Sequence, residues 1–288
     1  MLKRFNTPLR YPGGKGKFAP FVKDLMEANS LSGDYLEPYA GGAGVALDLL
    51  FNDYCKNIHI NDFDVAIYNF WKSITEDTES FLKKVVDTDV TIEEWFKQKE
   101  VLASPEIHST LEHGFATFFL NRTNRSGILK GGVIGGKAQS GVYKLDARFN
   151  KVDLIKRIEM IGKFAKNIYV YNKDAVELLN EVDSLLPPNS LIYLDPPYYV
   201  KGQGLYRNFY MHEDHVQIRK ALDSVKTNWI VSYDNCQEIK DIYTGYAQDD
   251  YVLNYSAFHK MKGSEVMIYG PSIKSVDIPT QQLNLNIA

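Results

Sequence analysis

The stretch Leu191-Ile192-Tyr193-Leu194-Asp195-Pro196-Pro197-Tyr198 decides the fold and points to the chemistry. Four apolar residues that stop at an Asp-Pro-Pro turn read as a short buried strand. The strand delivers a carboxylate, two rigid prolines and an aromatic ring to one point at its carboxyl end. Open α/β sheets bind ligands outside the carboxyl ends of their strands. A carboxylate from Asp195 and the carbonyl of Pro196 can each accept one hydrogen of a planar amino group. Pro197 stiffens the turn, and Tyr198 can stack on the plane that carries the amine. The pattern predicts chemistry on an exocyclic amine of a nucleobase. The bland alternative is a Pro-Pro turn after a strand, with aspartate as turn former.

Upstream, Tyr35-Leu36-Glu37-Pro38-Tyr39 is strand-like, Gly41-Gly42-Ala43-Gly44 is a glycine turn, and Val45, Leu47, Leu49 and Leu50 mark a helix. Asn57-Ile58-His59-Ile60-Asn61 reads as a second strand ending at Asp62. This is the start of a βαβ unit with its glycine turn between first strand and helix. Glycines let the backbone approach a ligand, and the helix N-terminus adds N–H groups. Asp62, eighteen positions beyond Gly44, is placed to accept hydrogen bonds from a ribose. The turn lacks the G-x-G-x-x-G spacing that accommodates a pyrophosphate, which argues against a dinucleotide-dependent oxidoreductase. S-adenosylmethionine carries a ribose and no pyrophosphate, and fits better. Lys15, in Gly13-Gly14-Lys15-Gly16, could pair with the carboxylate of that cofactor; the P-loop frame is absent. Asp174 has two readings that stay open. It can cap the following helix with Glu177 as reciprocal partner, or hold the cofactor adenine's amino group.

Strand signals recur at residues 168–171, 229–232, 252–255 and 266–269, with helices at 175–182 and 216–225 between them. Lys260-Met261-Lys262-Gly263-Ser264 reads as a hairpin-type connection between the last two strands. Between the two strand-bearing parts the pattern turns helical, at 81–86, 92–102, 111–120 and around 154–165, with a glycine-rich stretch at 127–141. The simplest account is one α/β domain over residues 1–72 and 167–280, interrupted by a mainly helical insertion over 73–166. The polar tail, 281–288, is expected to be loose.

Net charge is −3, which by itself gives no hint of nucleic acid. The distribution does. Between Leu120 and Lys166 eleven basic residues face three acids, whereas from Glu76 to Glu112 ten acids face four lysines. Such polarity could present one basic face to phosphates. No apolar run reaches the length of a membrane helix, the N-terminus lacks a secretory core, and Cys55 and Cys236 form no metal or disulfide spacing. The chain is therefore expected to be cytoplasmic, without membrane or metal. His212-Glu213-Asp214-His215 has its histidines three apart rather than four, and reads as a helix start.

Taken together, the motifs resemble those of the Dam-like, α-class DNA adenine-N6 methyltransferases. The matching pieces are Arg10-Tyr11-Pro12-Gly13-Gly14-Lys15, Glu37 to Gly44, Asn61-Asp62, and Asp195 to Tyr198, in that order. The resemblance implies a Rossmann-like class I methyltransferase sheet with a C-terminal antiparallel hairpin, plus a helical target-recognition insertion. It implies S-adenosylmethionine as cofactor, contacted by Tyr11, Gly14, Lys15, Glu37, Pro38, Gly41, Gly42, Gly44, Asp62, Phe63, Asp174 and Asp195. It implies double-stranded DNA as partner, and an adenine flipped out of the duplex. In the insertion, Leu120 to Gly127 resembles the family's DNA-contact stretch, though without the aromatic residues of members that read GATC. Arg122, Asn124, Arg125, Lys130, Lys137 and, outside the insertion, Arg207 are the expected DNA contacts. RNA or protein-amide methylation, and a catalytically silent DNA-binding protein, are the alternatives.

Overall fold

The computed structural model describes residues 6–11, 14–200, 210–256, 260–278 and 284–286. In chain order its helices are α1 (Ala19–Ala28), α2 (Gly44–Phe51), α3 (Val65–Glu76), α4 (Thr78–Asp87), α5 (Ile92–Ala103), α6 (Thr110–Thr123), α7 (Lys151–Lys163), α8 (Ala175–Leu185), α9 (His212–Leu222) and α10 (Gln237–Ile242). The strands are β1 (Tyr35–Glu37), β2 (Ile58–Asn61), β3 (Ile168–Tyr171), β4 (Leu191–Leu194), β5 (Asn228–Asp234), β6 (Ala247–Ser256), β7 (Lys260–Tyr269) and β8 (Asn284–Asn286). The chain divides into two compact units: residues 15–63 with 171–287, and residues 1–14 with 64–170.

The first unit carries strands β2-β1-β4-β5-β7-β6-β8, hydrogen-bonded in that order. β1 pairs in parallel with β2 and β4, and β4 with β5; β7 runs antiparallel to both β5 and β6. This is a Rossmann-like sheet with a C-terminal antiparallel hairpin. The strand order reverses between β1 and β4, which is where such sheets bind ligands. The apolar run before Asp195 is buried throughout because both of its faces are covered. Ile192 and Leu194 join the core under α8, α9 and α10, with Leu178, Ile218, Leu222 and Ile239. Tyr193 points the other way, toward Phe18 at the start of α1. Each such fully buried side chain contributes about 1.5–3 kcal/mol of transfer free energy.

Two expectations about the C-terminal part need correcting. Residues 260–264 are not a connection but the first half of β7, paired with β6 out to Ser256 opposite Lys260. Nor is the tail loose throughout, since β8 pairs in parallel with Asn254–Ser256. β6 is otherwise an edge with unpaired backbone groups, and such an edge recruits any extended segment that reaches it. α9 starts at His212, with the Asp214 carboxylate accepting from the Met211 N–H at 2.7 Å.

The second unit is helical and built around α6. Residues 113 to 121 of that helix are buried all round, as a helix at the centre of a bundle must be. Ser109 and Glu112 form a capping box at its start. Phe70 of α3, Phe81 of α4, Phe115 and Phe118 of α6 and Phe149 interlock with ring centroids 5.3 to 6.3 Å apart. α3 belongs to this unit through those rings, and so do the N-terminal residues up to 14; the helical unit therefore begins at Asp64 and ends at Val170.

Candidate active site

The site gathers at the carboxyl ends of β1, β2, β4 and β5. Asp195 directly follows β4. Its Oδ1 accepts from the Ser232 hydroxyl at 2.8 Å and lies 3.3 Å from the Lys15 ammonium. Among the described residues nothing bonds its Oδ2, and a quarter of the side chain is exposed. The Pro196 carbonyl likewise accepts no backbone hydrogen bond among the described residues. Asp234, at the end of β5, fixes the turn from below: its two oxygens accept from the N–H groups of Tyr199 and Val200 at 2.9 and 2.8 Å.

Lys15 is buried, so its charge needs partners on the protein. It donates to Glu265 Oε2 at 3.0 Å and to the Tyr198 hydroxyl, besides the contact with Asp195. Burial works against its charge, but Asp195 and Glu265 outweigh it and raise the Lys15 pKa. Asp195 is raised chiefly by burial, against Lys15 and with the Glu265 charge pushing the same way. The partners of Lys15 on the protein are thus two carboxylates and a phenol. Tyr198 is only 8% exposed, and its hydroxyl donates to Glu265 Oε1 at 2.6 Å. A buried phenol takes the polar partners within reach, and here they tether the hydroxyl end of Tyr198.

On the β1 side, Glu37 Oε1 accepts from the Ala46 N–H of α2 at 3.0 Å and the Tyr35 hydroxyl at 3.2 Å. The Ala43 N-cap gives α2 no side-chain cap, so the β1 carboxylate serves that N-terminus. Burial pushes Glu37 up to about 8. Gly41 and Ala43 both adopt left-handed backbone, with φ of 45° and 46°. At Gly44 a Cβ would lie 3.0 Å from the Gly16 Cα, so a side chain there would push away the loop that carries Lys15. Asp62 Oδ2 accepts from the Gly41 N–H at 3.0 Å and braces the turn. Asn61 clamps two strand ends together: its Nδ2 donates to Pro38 O at 2.9 Å and Lys173 O at 3.0 Å, and its Oδ1 accepts from Lys173 N–H at 2.8 Å. Phe63 is exposed beside it. Asp174 caps α8, its Oδ1 accepting from Val176 and Glu177 N–H at 2.8 and 3.3 Å. Glu37, Pro38, Gly41, Gly42, Gly44, Asp62, Asp174 and Asp195 thus share one unit with Lys15, whereas Tyr11 and Gly14 belong to the helical one.

In the helical unit the expected DNA contacts divide into two sets. Asn124 is fully buried. Its Oδ1 accepts from Trp95 Nε1 at 2.7 Å, and its Nδ2 donates to the carbonyls of Ile128 and Leu129 at 3.0 Å. Asn121 similarly bonds Arg10 and Gly127 backbone groups. Arg122 donates to Arg148 O at 2.7 Å and Pro8 O at 3.4 Å, and burial, reinforced by Arg10 and Arg157, lowers it to about 9. Asn124 and Arg122, both expected at the DNA, donate to carbonyls that would otherwise lack donors. Arg125, Lys130 and Lys137 are exposed. Arg125, with Ile134, Gly135, Gly136, Val142 and Tyr143, lines an open cleft of about 460 Å³. Arg207 lies outside the described residues.

The residues that sequence reading passed over are Ser232, Asp234, Tyr251 and Glu265. The signal was faint: Ser232-Tyr233-Asp234 ends a strand beside β4, and Glu265 is a charge abutting the apolar run Val266-Met267-Ile268.

Comparison with known proteins gives the class. The D12 class N6 adenine-specific DNA methyltransferases match this chain over residues 11–259. The chain belongs to that family, whose members transfer a methyl group from S-adenosylmethionine to adenine N6 in DNA. A type II methyltransferase, M.MjaIII of Methanocaldococcus jannaschii, is 24% identical over 206 residues, which cover 66% of this chain and 68% of that protein. Solved structures that the chain matches include TrmN from Thermus thermophilus (10% identical, TM-score 0.38, 88% of this chain and 48% of that one). Another is a SAM dependent methyltransferase from Agrobacterium tumefaciens (9% identical, TM-score 0.39, 89% and 62%). This chain therefore spans about half the length of the first of these structures and under two thirds of the second. Among the described residues no helix is long and apolar enough to cross a membrane, and no group of three or more His, Cys, Asp or Glu side chains is set to hold a metal ion.

Proposed function

We propose that this chain methylates adenine N6 in double-stranded DNA at a site formed by Asp195, Pro196, Pro197 and Tyr198. One observation carries the reading: the protein's bonds to Asp195 fall on Oδ1, while Oδ2 and the neighbouring Pro196 carbonyl stay available. These two oxygens are the acceptors an amino group needs. Adenine N6 is a poor nucleophile because its lone pair is delocalised into the ring. With one N6–H on Asp195 Oδ2 and the other on Pro196 O, the nitrogen turns tetrahedral and its lone pair is released. S-adenosylmethionine, when bound, supplies a methyl group on a sulfonium that departs as a neutral thioether. Asp195, holding one N6–H on Oδ2, would take the surplus N6 proton as the nitrogen gains the methyl group and the sulfonium becomes a neutral thioether. Most of the acceleration comes from alignment and fixed dipoles rather than from a metal.

The cofactor fits the β1–β2 side. Glu37 keeps Oε2 unbonded among the described residues, and Asp62 stands at the end of β2 next to the glycine turn. Gly41, Gly42 and Gly44 leave room for backbone approach, and Pro38, Phe63 and Asp174 are the further contacts proposed within the same unit. DNA is held by Arg125, Lys130 and Lys137, whose phosphate contacts make binding fall with salt. A cytoplasmic location agrees with two free thiols and a DNA substrate.

The test is to incubate the purified chain with S-adenosylmethionine and duplex DNA, digest to nucleosides, and measure N6-methyladenine by mass spectrometry. Methylated adenine in duplex DNA is expected. Its absence from duplex and single-stranded DNA, with methylation of RNA or a protein amide instead, overturns the reading.

A further inference from the structure

Glu265 is a carboxylate where a sheet holds apolar side chains. It lies in β7, opposite Asp234 of β5 and Tyr251 of β6, with no exposed surface. A buried carboxylate is costly unless it is paired and hydrogen-bonded. Three partners among the described residues, Lys15, Tyr251 and Tyr198, bond it. Oε2 accepts from Lys15 Nζ at 3.0 Å and the Tyr251 hydroxyl at 2.6 Å, and Oε1 accepts from the Tyr198 hydroxyl at 2.6 Å. One ammonium is thus shared between Glu265 and Asp195, and the Tyr198 hydroxyl bridges Lys15 and Glu265.

We propose that Glu265 is a positioning residue for methyl transfer: it holds Lys15 on the Oδ1 side of Asp195 and tethers Tyr198 by its hydroxyl, so that Oδ2 stays turned to the substrate amine. The inference rests on the N6-methylation reading above. Without the Glu265 charge, Lys15 has a single carboxylate partner, moves onto Asp195 and competes with the amine for it. Without the Glu265 reach, Tyr198 loses the anchor at its hydroxyl end. The same charge keeps Asp195 a stronger acceptor, since it pushes the Asp195 proton affinity upward.

Glu265→Gln and Glu265→Asp separate charge from reach. For wild type and both variants, kcat and its pH profile are measured on duplex DNA, and cofactor affinity by calorimetry. Glu265→Gln is expected to lower kcat on the order of 10²-fold, as a small misplacement of a catalytic group does, with cofactor affinity nearly unchanged. Its acid limb moves to lower pH, because the charge that raised Asp195 is gone. Glu265→Asp keeps the charge, so its acid limb stays with wild type while kcat still falls. An unchanged kcat with an unmoved limb in Glu265→Gln overturns the proposal. So does a loss of kcat matched by equal losses of thermal stability and cofactor affinity. If Glu265→Gln does not fold, Tyr198→Phe removes only the bridging hydroxyl; a wild-type kcat there overturns the tether. A wild-type protein inactive on every nucleic acid strikes instead at the methylation reading, and takes this inference with it.

Discussion

Asp195 and Asn124 are both polar residues just past the end of a buried element, yet they end in opposite states. Asp195 has its bonds on one oxygen and leaves the other unbonded among the described residues. Asn124 has both ends of its carboxamide engaged, by Trp95 on one side and the Ile128 and Leu129 carbonyls on the other. The difference lies in what the neighbouring backbone needs. After β4 the prolines make a turn whose N–H groups at Tyr199 and Val200 are served by Asp234, so Asp195 is released for a ligand. After α6 the chain folds back on itself, with a bridge between Asn124 and Val133, and the enclosed carbonyls need a donor. A polar side chain is available for chemistry only where another group has already satisfied the backbone around it.

This contrast can be broken most forcefully at Lys15. Lys15→Met leaves Asp195 and Glu265 as buried, uncompensated carboxylates, and about 3–5 kcal/mol of stability is expected to be lost at neutral pH. Urea unfolding reads it, and a variant as stable as wild type shows that the ammonium is not what holds the two carboxylates. Next in size is the pair Asn124→Ala and Arg125→Ala. The first leaves the Trp95 N–H unpaired in the core and is expected to cost about 1–3 kcal/mol. The second leaves stability within about 0.5 kcal/mol, as exposed substitutions do. Its effect falls on DNA: weaker binding across sequences and a salt slope reduced by roughly one. Equal losses of stability in both variants would erase the distinction between inward and outward residues. The last contrast, at Glu37, is read against pH rather than at one pH. Its carboxyl, raised to about 8 from 4.5 by burial, holds a proton in the fold that the unfolded chain releases. That contribution is full below pH 4.5 and is lost as pH rises toward 8, so wild-type stability declines across that window. Glu37→Gln flattens this decline; an identical slope in wild type and variant excludes Glu37 as its source.

Much of the sheet was legible because its signals are local. The β4 run is apolar on both faces and ends at prolines, and the β1 turn is punctuated by glycines. The βαβ start and the Asp195 turn follow from such short-range patterns, whereas the strand order that sets β1 beside β4 does not. Glu265 was not legible, because a glutamate at the head of Val266-Met267-Ile268-Tyr269 looks solvent-facing until β5 and β6 close over it. The orientation of Tyr198 depends on the same distant residue. Asn124 and Arg122 are expected contacts through the resemblance of residues 120–127 to the family's DNA-contact stretch, whereas the partners of their side chains are set by loop closure and by the N-terminal segment at Pro8. The Lys260–Ser264 segment misled because lysines and a glycine mimic a turn, while the long pairing of β6 with β7 extends the strand through it.

The most direct measurement is single-turnover methyl transfer to duplex DNA by wild type and Asp195→Ala, with cofactor affinity determined on both. If Oδ2 of Asp195 is an acceptor for adenine N6, the transfer rate drops on the order of 10³-fold while the fold and cofactor binding survive. A variant that transfers methyl groups at the wild-type rate would contradict the account.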